Sequence, residues 1–509
     1  MANTFGRITL YANYTEEQLL SGTQKEKDEK IIDILSNSVE LHNQNKSDSI
    51  YLINYLYGDQ DIKNKVKLTR IDINNKGVEN WAWAFQEWKK AYLLGKPIQY
   101  APLDDTANSE ISTLNRYNTF EDKDQKDQDL YEDIYAVGRA FRLNRPSQNL
   151  DDDETPYDTI NLDVTETEVV YSSSISHEQL LSYVHTSKKY IVQEINPQTN
   201  QKENMTKYYD EYTVYTRNMM YVLNNKGGSF KITDRKELIL NIHLITEYYF
   251  NKKRMSFIEI GKDIFNDLNY VENLDKDDIE GFVNSIMVFT NAEVDEEAME
   301  AIKQYGAVSI KSTDQKKASV ELLQSRLKSL DTQIYYLRKL SALHSILSVP
   351  EATQNGDISN AETGKAYLTG QGFTSASVRI ENEEKAFKKC DRNALKVVLK
   401  ICKNSKNSEI KNLKISDIDI KFSRDLSDNL LTKTQALLNL TTAQIPPEVR
   451  NAIIGLFSDP VSVTKMQMKY LEEKTKLENE IKNSNNNENN INEQNNNIED
   501  NTELEKQEQ

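Results

Sequence analysis

The sequence predicts an α+β multidomain protein, and three observations predict it. Apolar residues recur every three or four positions in the first hundred residues and again through two long stretches after about residue 256, which is the period of amphipathic helices. Between Pro156 and about Asp234 the texture changes to alternating runs rich in Thr, Tyr, Val and Ile, the mark of strands. At 509 residues the chain is long enough for several cores, and two to four domains are expected.

The elements follow in order. Residues 1 to about 50 read as helical and acidic, and "IYLINYLYGDQDI" ends a short helix at Gly58. "WAWAFQEWKKAYLLGKPIQY" comes next, with Trp81, Ala84, Phe85, Trp88, Ala91 and Tyr92 on one apolar face. Gly95 suits the left-handed residue that closes a helix and Pro97 cannot continue one, so a strand should start at Ile98. From Asp104 to Asp133 acids dominate, and "EDKDQKDQD" reads as a solvated face or loop. "LYEDIYAVGRAFRL" restores a helix or strand. From Pro156 an antiparallel meander of roughly ninety residues is expected, with Asn196-Pro197 and Asn224 to Gly228 as turns.

After "HLITEYYFNKKRM" a long helix begins near Ser256, with Phe257, Ile260, Ile264, Leu268, Val271 and Leu274 on one face. A small α/β patch follows: "SIMVFTN" as a strand, "DEEAMEAIKQY" as a helix and "GAVSI" as a strand. A second long helix carries Leu323, Leu327, Leu330, Ile334, Leu337 and Leu340, a seam for close helix packing. "EATQNGDISNAET" is a polar loop. A third helical stretch runs from about Thr363 to Lys403, and the helix-weakening Gly370 and Gly372, each costing about 1 kcal/mol relative to Ala, predict a kink. "ISDIDIKFS" reads as a strand and Leu430 to about Ile481 as mostly helical. The Asn-rich remainder cannot bury a core and should be disordered.

Composition narrows the function classes. With 28% charged residues, a mean hydropathy of −0.70 and no apolar run near the roughly 20 residues that span a bilayer, a water-soluble protein is expected. Met1 to Leu20 lacks a basic start followed by an apolar block, so no signal peptide is read and a cytoplasmic setting is expected. Cys390 and Cys402 lie 12 residues apart in one helical pattern, about 18 Å along an axis at ~1.5 Å per residue, too far for a disulfide. They should be small buried apolar residues.

A net charge of −17 argues against a wide basic surface gripping nucleic acid. The tail from Lys482 to Gln509 holds seven acids and two lysines, so the rest of the chain is acidic too.

Chemistry-bearing motifs are weak. His42, His177, His185, His243 and His344 are scattered, none sits in a metal-ligand spacing and no CxxC occurs, so no zinc or other metal site is expected. Around Gly356 and Gly364-Lys365 the glycine spacing is too long for a phosphate loop, and Ala366 stands where the magnesium-binding Ser or Thr belongs. "NLDKDDIEG" fails as a calcium loop because Ile279 and Glu280 occupy the oxygen-ligand and glycine positions. There is no GxSxG elbow. The expectation is no enzyme, no catalytic residue and no cofactor.

The order of parts carries a resemblance. "YLYGDQDI" (Tyr55 to Ile62) and "AYLLGKPIQY" (Ala91 to Tyr100) resemble the opening of tailed-bacteriophage portal proteins of the SPP1-like family. "IYAVGRAFRL" from Ile134 is similar to that family's Gly-x-Ala-aromatic segment, and "TEVVYS" from Thr167 to its strand ending in tyrosine. "HLITEYYFNKKRMSFIEIGKDIFNDLN" resembles the start of its first stem helix. "NAETGKAYLTG" is similar to its Ser-Gly-x-Ala loop, with Thr363 for the serine, and "IDIKFSRDLSDN" and "LFSDPVSVTKMQMKYLEE" to its crown strand and final helix. The chain departs at Leu244, Phe250-Asn251 and Ser256-Phe257, where the family usually has Pro, Asn-Asn and a later Gly-Asp. Asp425-Leu426-Ser427 replaces its Asn-Leu-Pro.

The resemblance implies a portal fold with an α/β wing, a two-helix stem, a small α/β clip and a helical crown, assembling as a ring of twelve chains at one capsid vertex. It divides the chain into wing (1–250), first stem helix (251–281), clip (282–312), second stem helix (313–348), tunnel loop (349–363), a long kinked helix (364–403), crown (404–481) and disordered tail (482–509). It implies passage of double-stranded DNA during packaging and ejection, without sequence specificity. The implied partners are the large terminase subunit, scaffolding and major capsid proteins and a head-tail connector, in the virion and, during assembly, the host cytoplasm. Three sets of site residues go with it. The tunnel loop would touch DNA through Glu351, Thr353, Gln354, Asn355, Asp357, Ser359 and Asn360. Lys252, Lys253 and Arg254 would form a phosphate-facing collar, or else a solvated basic cluster at a helix start. Asp295, Glu296, Glu300, Lys303 and Tyr305 would be the clip surface that meets partners. A cytoplasmic coiled-coil scaffold with a β-rich interaction domain is the alternative.

Overall fold

The computed structural model describes residues 5–68, 71–103, 108–148, 155–195, 202–226, 228–283, 286–290, 319–323, 329–351, 373–422, 430–447, 450–451 and 463–479. The expected clip helix and its "GAVSI" strand, Leu327, the glycines Gly370 and Gly372 and the acidic tail lie outside these residues. The chain divides into two compact units, Met1–Arg424 and Asp425–Gln509.

The first unit opens with β1 (Leu10–Ala12), the short helix α1 (Glu16–Leu20) and the 33-residue helix α2 (Gln24–Leu56). Thr23 and Glu26 close a capping box at the start of α2, each satisfying a backbone N–H that the helix leaves orphaned. The expected short helix before Gly58 is therefore the last part of one continuous helix about 50 Å long at ~1.5 Å per residue. Its buried face changes character along its length. Ile31, Ile34 and Leu35 are apolar, Ser38, His42, Asn45 and Ser49 polar, and Leu52, Tyr55 and Leu56 apolar again.

The tryptophan helix α3 (Trp81–Leu94) ends at Gly95 as expected, but for a different reason. Gly95 keeps right-handed backbone, φ −67°, and what requires glycine is space: a Cβ there would sit 2.3 Å from the Ala91 carbonyl oxygen. Strand β2 (Gln99–Pro102) follows. The acidic stretch expected as a loop or solvated face is instead two helices, α4 (Asn108–Phe120) and α5 (Lys123–Val137). Asp127 on α5 is buried because Arg142 and Lys123 neutralise it at 2.7 and 2.6 Å.

Strands β3 (Ala140–Pro146), β4 (Tyr157–Leu162) and β10 (Ile245–Tyr248) form a three-stranded sheet in the order β10-β3-β4. Of the meander expected from Pro156, the first strand is β4, which pairs with β3 in that sheet instead, while β5 (Thr167–Ser172), β6 (Gln179–Ile195), β7 (Lys202–Tyr215), β8 (Met219–Asn224) and β9 (Lys231–Glu237) are antiparallel neighbours. β1 joins its edge parallel to β5, Leu10 opposite Val170. Two apolar cores result. One lies between this six-stranded sheet and the N-terminal part of α2 and includes Leu35, Leu181, Tyr183 and Val214. The larger includes Tyr55, Phe85, Tyr131, Phe141, Tyr248, Phe265 and Phe387.

Helix α6 (Phe257–Val283) runs into β11 (Ile286–Thr290), which pairs antiparallel with β12 (Ser319–Leu323) before α7 (Ser329–Leu347). Leu323 was expected on the second long helix, within 313–348. It lies on β12, opposite Ile286, because a short apolar run fits a strand as well as a helix and the partner strand decides. The module between the long helices thus extends past the expected 312. On α7 the buried face is Leu340, Leu343 and Leu347, while the expected seam residues Ile334 and Leu337 are 40% and 48% exposed. On α6 Ile258, Phe265 and Leu268 are buried, and the expected face residue Ile260 is exposed.

Helix α8 (Phe373–Asn404) buries both cysteines as free thiols, and burial pushes each pKa up to about 11. Strand β13 (Ile418–Lys421), expected in the crown, pairs with β2 in the first unit, Ile420 opposite Tyr100. In the second unit α9 (Leu430–Thr442) and α10 (463–479) are helical, and Asn451 donates to Thr464 at 3.0 Å.

Candidate functional site

The two long helices and the turn that starts the first of them are the feature that local sequence builds most deliberately. Ser256 Oγ accepts from Glu259 N at 2.9 Å, and Glu259 Oε2 accepts from Ser256 N at 2.8 Å, a capping box that fixes the first residue of α6. Glu259 is shared: Gly6 N and Arg7 Nη2 donate to its Oε1 at 3.0 and 2.5 Å. Two glycines press on the turn from either side. Gly6 (φ +83°) and Gly138 (φ +95°) occupy the left-handed region, and a Cβ on either would lie 2.1 Å from the carbonyl oxygen of Lys253 or Arg254. Arg254 is itself left-handed at φ +49°.

The structure separates the three residues of the expected collar. Lys252 and Lys253 are exposed. Arg254 is buried, and its Nε and Nη2 donate to Glu247 at 2.9 and 2.8 Å while the guanidinium lies 4.5 Å from the Tyr249 ring. Burial opposes that charge, but Glu247 more than offsets it and raises the Arg254 pKa. This corrects Arg254: a bidentate buried pair holds it as an anchor of the turn, and it presents nothing to a phosphate.

Along α6 a row of polar side chains is turned inward. Tyr55 Oη donates to Asn266 Oδ1 at 2.8 Å, Glu79 N to Asn269 Oδ1 at 2.7 Å and Gly77 N to Asn273 Oδ1 at 2.6 Å. Asp277 accepts from Asn75 N at 2.7 Å and from Lys65 and Lys67 Nζ at 2.7 and 3.1 Å. These donors hold the Asp277 carboxyl well below the usual range against the opposing effect of burial. Positions 266, 269, 273 and 277 recur at helical spacing, so residues 75–79 are strapped along one face of the helix by their own backbone, and Lys65 and Lys67 by their side chains. Trp81 Nε1 donates to Tyr336 Oη at 3.1 Å and Tyr336 Oη to Glu79 Oε2 at 2.5 Å, which ties α7 to the same strap. Lys339 on α7 pairs with Asp267 on α6 at 2.7 Å.

The exposed faces carry large apolar side chains and, on α6, an excess of acids. Tyr270 and Ile279 on α6 and Tyr335, Leu337 and Ile346 on α7 are 43–63% exposed. Helix α6 carries eight acids and two lysines. Asp275, beside Glu272 and Asp278, has its pKa raised, first by partial burial and then by their repulsion.

Of the expected tunnel loop only Glu351 is described; it is exposed and accepts from Ser341 Oγ at 3.0 Å. Thr353, Gln354, Asn355, Asp357, Ser359 and Asn360, and the clip surface Asp295, Glu296, Glu300, Lys303 and Tyr305, lie outside the described residues. Sequence reasoning missed the buried ion pairs that position the turn, Arg7 with Glu259, Arg139 with Glu168 and Arg254 with Glu247. Their partners are far apart in the chain or, for Arg254, indistinguishable from exposed neighbours, so no local pattern could have shown them.

The sequence model of phage portal protein, SPP1 Gp6-like, matches residues 36–487. No curated protein matches. Among solved structures, a chain described as the neck of an empty GTA particle computed with C6 symmetry is similar at a TM-score of 0.40 and 8% identity, over 74% of this chain and 90% of that chain.

Proposed function

This chain belongs to the phage portal protein family, SPP1 Gp6-like, and from that premise we propose that it assembles head-to-tail into a closed ring of about twelve copies at one capsid vertex. The family is a structural one, and the role is that of a conduit for double-stranded DNA. One observation carries the reading. Two long helices flank the small β11–β12 ladder in the chain and carry large apolar side chains, Tyr270, Ile279, Tyr335, Leu337 and Ile346, that the described part of a single chain leaves exposed. A heterologous interface whose rotation closes covers such side chains on every subunit at once.

The charge of α6 fits a channel wall. DNA carries a charge every ~1.7 Å and salt screens over ~8 Å, so an acidic surface with few lysines near the duplex lets it slide. Lys252 and Lys253 remain the proposed weak collar, and residues 351–360 the proposed tunnel loop. The β11–β12 module and the residues between its strands are the proposed docking surface for terminase and, later, a connector. Native mass spectrometry with negative-stain imaging tests the reading. A closed ring with a hole that admits duplex DNA is the expected result. A dimer or trimer with no ring at any salt concentration would overturn it in favour of a coiled-coil scaffold.

A further inference from the structure

Away from the long helices, the fold gathers two of the scattered histidines. His42 sits in the polar middle of α2, His185 on β6, and Glu166 in the turn before β5. One ligand atom from each lies within 4.8 Å of the others. His42 is 2% exposed, yet neither ring nitrogen has a hydrogen-bond partner. Its Nδ1 is 3.7 Å from Glu168, beyond hydrogen-bonding reach. A buried imidazole with two unsatisfied nitrogens is costly unless something fills the place beside it.

We propose that His42, Glu166 and His185 form a binding site for Zn²⁺ or a transition-metal dication of similar ligand preference. Two imidazoles and one carboxylate are a donor set that zinc takes, with water completing a tetrahedron. Zinc bonds of about 2.0–2.1 Å place ligand atoms roughly 3.3 Å apart, so side-chain rotations bring the trio in.

The surroundings already orient two of the ligands. His185 Nε2 lies 3.0 Å from Asp210 Oδ1, and Asn225 Nδ2 donates to the other oxygen of Asp210 at 2.7 Å. A carboxylate that takes one ring N–H fixes the imidazole and leaves the other nitrogen for an ion. That other nitrogen, Nδ1, faces Glu166 Oε2 at 2.6 Å. Lys46, one turn beyond His42, holds Glu166 Oε1 at 2.6 Å and leaves Oε2 for the ion. In the bound state Nδ1 takes the ion and the Nε2–H donates to Asp210, so the ring's orientation toward both groups is already the one that binding needs.

The site joins α2 to the six-stranded sheet and is independent of ring formation. The test uses the full-length protein stripped with chelator, titrated with Co²⁺ and followed by visible absorption, with Zn²⁺ content after dialysis measured in parallel. Expected are the intense bands of tetrahedral Co²⁺ at an equimolar ratio and a loss of affinity of at least tenfold in His42→Asn and Glu166→Gln. Asp210→Asn, at a more exposed position, should weaken binding roughly tenfold with the fold intact. Absence of tetrahedral bands in the wild type, or unchanged affinity in Asp210→Asn and in whichever ligand variants fold, would overturn the proposal.

Discussion

Arg254 shows how much one residue's backbone decides. Its left-handed φ turns the guanidinium onto Glu247, while the adjacent Lys252 and Lys253 stay in solvent. Gly138 makes that turn possible, and Gly138→Ala should lower stability by about 3 kcal/mol or more, read as a shift of the denaturation midpoint at constant slope. Gly228, also left-handed at φ +85° but with nothing within 4 Å of a Cβ, is the matched control. Gly228→Ala should cost only the backbone share, about 1–2 kcal/mol. Asp133 has the opposite character. Burial first, then Asp163, Glu132 and Asp129, push its pKa up to about 7 from 3.8. A raised carboxyl pKa favours the folded state only while the group is protonated. Its contribution is complete below 3.8 and is lost as pH rises through about 7. Asp133→Asn should therefore melt higher than wild type above pH 7, by at most roughly 4 kcal/mol at ~1.4 kcal/mol per pKa unit, and equally to it in acid.

At the scale of elements, the strap along α6 makes a claim of its own. Asp277 has a depressed pKa, so its hold on Lys65, Lys67 and Asn75 is present above the unfolded value of 3.8 and lost as pH falls below it. Asp277→Ala at neutral pH should speed amide exchange in 73–77 by at least roughly tenfold and leave β3 and β10 protected. The helices and the meander were legible in the sequence because their signals are local: capping pairs such as Thr23 with Glu26, and alternation in "TEVVYS". The strap was half legible. Asn266, Asn269, Asn273 and Asp277 are a visible polar stripe, but a polar stripe reads as a wet one until a partner backbone is found against it. "EDKDQKDQD" misled for the same reason, since the cations that admit Asp127 to the interior come partly from β3. Leu323 was placed on a helix because leucine spacing carries no information about the strand that would claim it. His42 and His185 belong to different elements, and nothing short of the fold joins them.

At the scale of the molecule, the large apolar side chains left exposed on α6 and α7 are the residues that the proposed ring would cover. Leu337→Lys should leave the melting of the isolated chain within about 0.5 kcal/mol, as exposed substitutions do, while abolishing rings in native mass spectrometry. Intact rings in that variant would place the subunit contact elsewhere. The first unit also joins distant parts of the chain, since β2 at Gln99–Pro102 finds its partner only in β13 at Ile418–Lys421. At a synthesis rate of about 5–20 residues per second, β2 waits roughly 15–60 s after leaving the ribosome before β13 exists. During that interval its edge is an unpaired template for strands of other chains. β2 is four residues long and ends on Pro102, which gives a nascent neighbour little to pair with. A chain whose translation stops short of β13 therefore leaves β2 without the partner that completes their two-stranded sheet.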